Sequence, residues 1–209
     1  MNIENTTEKS GFLYDFLDLP LIYNLVQFSL RKYNTHKRLF NDLISLNSDV
    51  VVLDCGCGPG TYRNFITSEN YIGIDINEKH ILKAKSKFPQ DTFIVEDLLN
   101  IQKLELKHFD AAILIGILHH LPDRLCSEML KTILNKLSPN GKVFSLDPVY
   151  IDNQRTFAKF LASKDKGNFV RKPIAYDKLI PEGFNHDNKI ISNLLRVPFD
   201  HYFMKLQKK

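Results

Sequence analysis

Apolar positions along the chain follow two rhythms. Between residues 11 and 46 they recur at helical spacing: Leu13, Phe16 and Leu17, then Leu21, Leu25 and Phe28. Pro20 breaks that stripe, and a second helix is predicted over residues 35–46. At residue 50 the rhythm changes. Val50-Val51-Val52-Leu53 is a short β-branched run halted by Gly56, Gly58, Pro59 and Gly60, the pattern of a buried strand. Helices and strands then alternate. The pattern predicts a helix over 61–67, a strand over 71–74, and a helix over 78–88 closed by Pro89. Strands follow over 92–95 and 109–115. An amphipathic helix over 123–137 sets Leu125, Met129, Ile133, Leu134 and Leu137 on one face. Pro139-Asn140-Gly141 reads as a turn into a strand over 142–146.

This alternation predicts an α/β fold with a mostly parallel sheet. The tail departs from it. Residues 152–163 suit a short helix, and a loop runs through Arg171-Lys172-Pro173. Two extended stretches, 189–197 and 200–207, flank Pro198 and read as an antiparallel hairpin closing one sheet edge.

Composition narrows the class without changing the picture. The chain has 209 residues, 44% hydrophobic and 25% charged, which suits one globular domain. The longest apolar stretch, 109–118, is broken by Asp110 and is far shorter than the ~20 residues that span a bilayer. The N-terminal residues are polar, with no signal-like apolar core. The three cysteines include Cys55 and Cys57 one residue apart, so a disulfide scaffold is not expected and the chain reads as cytoplasmic. Charge is uneven. Residues 1–150 hold 16 Lys and Arg against 18 Asp and Glu, whereas residues 151–209 hold 12 against 6. The basic last third is either a solvated face or a surface that meets something anionic.

The chemistry-bearing signal is the strand and turn Val50-Val-Val-Leu-Asp54-Cys-Gly56-Cys-Gly58-Pro-Gly60. Glycines permit sharp turns and close approach of backbone to a ligand. A helix starting there would offer free N–H groups to an anion. Acids end three successive strands: Asp54, then Asp75, then Asp97. In parallel sheets ligands bind at the carboxyl ends of strands, so the three acids should face one crevice.

With these motifs the chain resembles the class I S-adenosylmethionine-dependent methyltransferases, in particular small-molecule enzymes with a VLDxGCGxG first motif. Five motifs match in order over residues 50–147: the glycine loop, GIDIN at 73–77, EDL at 96–98, FDAAILIGILHHL at 109–121, and LSPNGKVFSLDP at 137–148. The resemblance implies a Rossmann-like sheet with helices on both faces. It divides the single domain into an N-terminal helical cap (1–49), a cofactor core (50–147), a second cap (148–188) and a closing β-hairpin (189–209). It implies S-adenosyl-L-methionine as cofactor and S-adenosyl-L-homocysteine as product. Gly56, Gly58 and Gly60 would line the methionine end, with Asp54 near its amino group. Asp75 would accept from the ribose hydroxyls. Asp97 would lie near the adenine amino group and Leu98 against the ring, with Cys57, Ile76 and Gly116 also in the cofactor wall.

Rival readings of these residues fit less well. A nicotinamide enzyme needs Gly-x-Gly-x-x-Gly, which this loop breaks. Asp147-Pro-Val-Tyr150 resembles a nitrogen-methylating motif but follows the fifth strand rather than the fourth. Cys55-x-Cys57 lacks structural zinc spacing, so no metal is expected.

Methyl transfer from a sulfonium needs alignment and exclusion of water, and a hydroxyl acceptor gains from a general base. His119 and Asp147, at the ends of strands four and five, are the catalytic candidates. His120 reads as structural. Tyr14, Tyr23, His119, Tyr150, Lys164 and Arg171 are the substrate-binding candidates, the last two in a small basic loop suited to an anionic or phosphorylated acceptor. The expected reaction is methylation of a small molecule at oxygen. An RNA or protein acceptor, or a non-catalytic cofactor-binding partner, are the alternatives. Nucleic acid is disfavoured for want of interleaved exposed aromatics.

Overall fold

The computed structural model describes residues 33–104, 108–165 and 167–209. The first predicted helix, with Tyr14 and Tyr23, lies outside the described residues. The strands are β1 (Val51–Cys55), β2 (Asn70–Asp75), β3 (Thr92–Val95), β4 (Phe109–Ile115), β5 (Leu137–Pro148), β6 (Phe184–Ser192) and β7 (Asp200–Lys208). They form one seven-stranded sheet in the order β3-β2-β1-β4-β5-β7-β6. The first five pair in parallel, while β7 runs antiparallel to both β5 and β6. Strand order reverses between β1 and β4, where the carboxyl ends open a crevice.

Apolar side chains cover both sheet faces, as parallel strands require. On one face Leu53, Ile74, Leu114 and Val143 pack with helix α3 (Asp123–Lys136). That helix buries Leu125, Cys126, Met129, Leu130 and Ile133, so the buried stripe includes Cys126 and Leu130, which the predicted stripe omitted. On the other face Val52, Tyr71, Ile113 and Phe144 pack with helix α2 (Glu78–Lys87) and with the π-helical turn Leu39–Ile44, which continues α1 (Tyr33–Arg38). Asn77 caps α2 by accepting from the Lys79 and His80 amides. Among the described residues no helix is long and apolar enough to cross a membrane.

Four predicted elements need correction. The helix over 61–67 is only a 3₁₀ turn, Arg63–Phe65. The Arg63 guanidinium donates to the carbonyls of Ile66 and Ser68 and pairs with Asp91. These contacts hold the chain just past Phe65, where Ile66 is already extended at φ −98° and ψ 114°, so the turn stops there. The Pro139-Asn140-Gly141 turn lies inside β5 as a bulge. Leu137 pairs with Phe109 and Lys142 with Ala111, and Asn140 takes a φ of 63° to close the excursion. The closing hairpin starts at Phe184, five residues earlier than predicted, because β6 begins in a polar run without alternation. Finally, the loop through Arg171 leads into a short helix, α5 (Pro173–Asp177), after α4 (Thr156–Ser163).

Arg171 itself is buried, which overturns its placement in a basic loop at the pocket mouth. Its guanidinium donates to the carbonyls of Leu118, Leu121 and Phe169 and to the Asp123 carboxylate. It fastens the segment after α4 onto the loop after β4. Arg171→Met would remove a charged donor from three carbonyls and leave the Phe169 carbonyl without one, so the urea midpoint should fall by the equivalent of about 3 kcal/mol. A midpoint within error of the wild type would contradict this role.

Candidate active site

The glycine loop follows β1 and folds back on β2. Gly56, Gly58 and Gly60 all have φ between 55° and 73°, a region that favours glycine. Space matters too: a Cβ at Gly56 would lie 2.1 Å from Ile117 Cδ1, and one at Gly60 would lie 2.8 Å from the Phe88 ring. The loops after β1 and β4 therefore touch at the switch point of the sheet.

The loop amides find partners within the protein. Gly56 and Cys57 donate to the Ile74 carbonyl, Gly60 and Thr61 to the Cys57 carbonyl, and Gly58 to Asp75 Oδ2 at 2.9 Å. With only a short turn behind it, the loop is no helix N-terminus cradling a phosphate. The expectation of free amides for an anion is thereby corrected. Cys57 turns its side chain inward against Gly73 and is 2% exposed, so it does not present to the crevice. Burial pushes its thiol pKa well up, and that of Cys55 likewise.

The acids occupy the expected strand ends but differ in state. Asp75 ends β2 half-buried, and its Oδ1 accepts from the Asn77 amide at 2.8 Å. A carboxylate oxygen carries two lone pairs, so both oxygens can accept again. Ile76, beside it, is 71% exposed. Asp97 is half-buried and accepts from the Leu99 amide, capping a 3₁₀ turn, Leu98–Lys103; Leu98 packs against the core. Asp54 is buried on β1 and accepts the Tyr71 hydroxyl. Gly116 follows β4 with φ 73°.

His119 lies in a 3₁₀ turn, Leu118–His120, and is 4% exposed. Its Nδ1 faces Asp147 Oδ1 at 2.8 Å and its Nε2 faces Asp165 Oδ1 at 3.0 Å. Burial acts to lower its pKa, but the hydrogen bonds to Asp147 and Asp165 outweigh burial and raise it to about 9. Asp165 is held below the usual carboxylate range, burial being offset by the hydrogen bond and charge of His119. The ring is thus an imidazolium donating from both nitrogens, with no lone pair to take a proton. A general-base role for His119 does not fit this geometry. Asp147 is fully buried and also accepts the His119 amide, while its Oδ2 has no partner among the described residues. His120 lies tilted beside His119, ring centroids 4.1 Å apart, and burial followed by the His119 charge lowers its pKa to about 4.

The remaining acceptor candidates are dispersed. Tyr150 is half-buried just beyond β5, its pKa raised by burial and by the Asp165 charge. Lys164 is exposed, its Nζ 5.8 Å from the Phe160 ring centroid. Sequence reasoning missed Asp165 and Gly167. A Cβ at Gly167 would lie 2.1 Å from His119 Cδ2, so this glycine is what lets the second cap close over the ring. Its signal was an Asp-x-Gly in an otherwise basic stretch.

The raised pKa of His119 links folding to pH. Its contribution is fully present below the unfolded value of about 6.5 and is lost as pH rises through about 9. Thermal melts should therefore fall by on the order of 5 °C between pH 6.5 and 9.5. Asp165→Asn should melt lower at pH 7 and show a flatter profile. Parallel profiles for the two proteins would contradict the ion pair. Gly167→Ala should cost about 2 kcal/mol or more, read as a lowered urea midpoint.

Residues 52–141 match the family model described as a methyltransferase domain. The chain is 32% identical over 117 residues to a tRNA (carboxymethyluridine(34)-5-O)-methyltransferase of Arabidopsis thaliana, covering 56% of this chain and 28% of that protein. It is 26% identical over 146 residues to indole glucosinolate O-methyltransferase 5 of the same plant, covering 67% and 38%. The chain spans about half or less of the length of the curated relatives it matches. In fold it is similar to the magnesium protoporphyrin IX methyltransferase of Synechocystis PCC 6803, solved with bound S-adenosylhomocysteine, at TM-score 0.67 and 16% identity, covering 94% of this chain and 98% of that one. Sheet order, glycine loop and matched domain agree: residues 52–141 are similar to a methyltransferase domain, and the chain has the mostly parallel, Rossmann-like fold of the solved methyltransferase.

Proposed function

We propose that this chain binds S-adenosylmethionine at the carboxyl ends of β1 and β2 and transfers its methyl group to an oxygen of a small-molecule acceptor. The observation that carries the cofactor reading is the glycine loop itself. Its amides are spent on Ile74, Cys57 and Asp75 rather than left for a phosphate, while Asp75 keeps acceptor capacity beside an exposed apolar Ile76. Such a site suits a nucleoside without a phosphate: a diol donating to Asp75, and a flat base against Ile76 and Leu98. Asp54 would meet the amino-acid end, and Gly56, Gly58, Gly60 and Gly116 would let backbone come close. When bound, the cofactor supplies an activated methyl on a sulfonium.

The chain's own residues then bind, orient and exclude water. His119 and Asp147 serve this reading by holding the second cap in place rather than by moving a proton. An acceptor oxygen that is already anionic, such as a carboxylate, needs no base, and two named relatives are O-methyltransferases. A second reading, an RNA acceptor, draws on α4. Phe157 and Phe160 are 54% and 53% exposed and stacked, beside exposed Arg155, Lys159 and Lys164, and one relative is a tRNA enzyme.

Calorimetry with S-adenosylhomocysteine tests the first reading. The wild type should bind, and Asp75→Ala should weaken binding by about 1–3 kcal/mol, the scale of charge-assisted hydrogen bonds. Absence of binding to the wild type would remove the cofactor assignment. RNA affinity that falls steeply with salt would favour the second reading.

A further inference from the structure

Asp54 and Tyr71 form a pair with a consequence for ligand binding. β1 and β2 pair in parallel with Asp54 opposite Gly73, so Tyr71, two residues back, shares its face of the sheet. The Tyr71 hydroxyl donates to Asp54 Oδ2 at 2.6 Å in buried surroundings. The ring cannot swing aside. Phe93 meets it edge-on at 5.7 Å, and the Arg63 guanidinium sits 4.8 Å from its centroid, itself held by Asp91 and two carbonyls. The described hydrogen bonds leave Asp54 Oδ1 unused.

The charged and titratable groups around Asp54 come from three elements. β2 supplies the Tyr71 phenol and Asp75, the 3₁₀ turn supplies Arg63, and β1 with its loop supplies the Cys55 and Cys57 thiols. From β4, its partner Ile113 is apolar. Burial raises the Asp54 pKa to about 7; the Tyr71 hydrogen bond restrains it, Asp75 adds to it and Arg63 opposes it. The phenol, pushed well above its ordinary range by burial and by Asp54, remains a donor throughout neutral pH.

We infer that Tyr71 is the positioning residue for Asp54, and that a cationic ligand end docking on Asp54 draws the proton off this carboxyl into solvent. The inference rests on the methyltransferase reading, in which that cationic end is the ammonium of the cofactor's amino-acid moiety. The O–H bond of the carboxyl breaks, the proton leaves to buffer, and the carboxylate accepts from the ammonium. Ligand affinity thereby depends on pH through a buried carboxyl, and Tyr71 sets where that dependence falls.

The experiment is calorimetry of S-adenosylhomocysteine binding to the full chain between pH 6 and 8.5, in buffers of differing ionisation enthalpy. The wild type should release close to one proton per ligand at pH 6 and little above pH 8, with affinity rising across that range. Asp54→Asn should abolish the release. Tyr71→Phe keeps the ring and its contacts but loses the donor, so its profile should move up by about one pH unit. Its affinity should fall about fivefold at pH 7, about tenfold at pH 6, and recover to within about twofold by pH 8.5. A Tyr71→Phe loss equal at every pH would mark a merely structural role and overturn the inference. So would wild-type binding without proton release, which would leave the cofactor reading intact. No binding by the wild type at any pH would instead defeat the cofactor reading. The wild-type proton count needs no variant, so the test survives a Tyr71→Phe protein that fails to fold.

Discussion

A charged imidazole ring buried between two carboxylates ties the two halves of this molecule together. His119 reaches Asp147 at the end of β5 with one nitrogen and Asp165 beyond α4 with the other. A buried ion pair is costly to break, because removing one partner leaves a charge without compensation. The neighbouring groups fit around this constraint. Gly167 has no side chain because the ring occupies the space. The Phe169 amide donates to the His119 carbonyl, and Arg171 collects the carbonyls of the same turn. The second cap is thus fastened by polar contacts to a loop at the carboxyl end of the sheet, beside the switch point where a ligand belongs.

The arrangement separates recognition from fastening. The side proposed for the cofactor, on β1 and β2, keeps acceptor capacity at Asp75 and an apolar surface at Ile76. The β4 and β5 side uses its histidine and aspartate internally. Under the proposed function, the acceptor would be selected by shape and by residues around the crevice, and reactivity would come from a donor that is already activated. On that proposal an anionic acceptor leaves little use for an acid–base pair.

Much of the core was legible in the sequence. β-branched runs ending in Gly or Asp marked four of the five parallel strands nearly at their true bounds, since burial on both faces demands continuous apolar stretches, while β5 begins five residues earlier than its apolar run. The order of the acids Asp54, Asp75 and Asp97 was equally readable, because each sits where its strand stops. What escaped were contacts made by long or small side chains across the fold. Arg63 ties the chain beyond Phe65 to Asp91 and to the carbonyls of Ile66 and Ser68, contacts that no local propensity records. Arg171 reads as a surface cation until the carbonyls that surround it are in place. Asp165 and Gly167 lacked any periodic signal, and β6 hides because Asn185 to Asn188 alternate no apolar residues. His119 was found as a residue, but its charge state depended on Asp165, 46 positions away.

The edges of the sheet carry a further implication. On one side the last strand, β3, is only four residues long. On the other, β6 presents Asn185, His186, Asp187 and Asn188 at its start, polar side chains on an exposed margin. Unpaired strand edges invite pairing with another chain, and short or polar edges discourage it. Association between copies of this molecule by extending the sheet is therefore opposed at both ends. A self-assembled form would have to be built from helical faces and loops, leaving the crevice at the strand ends free of β-sheet contacts.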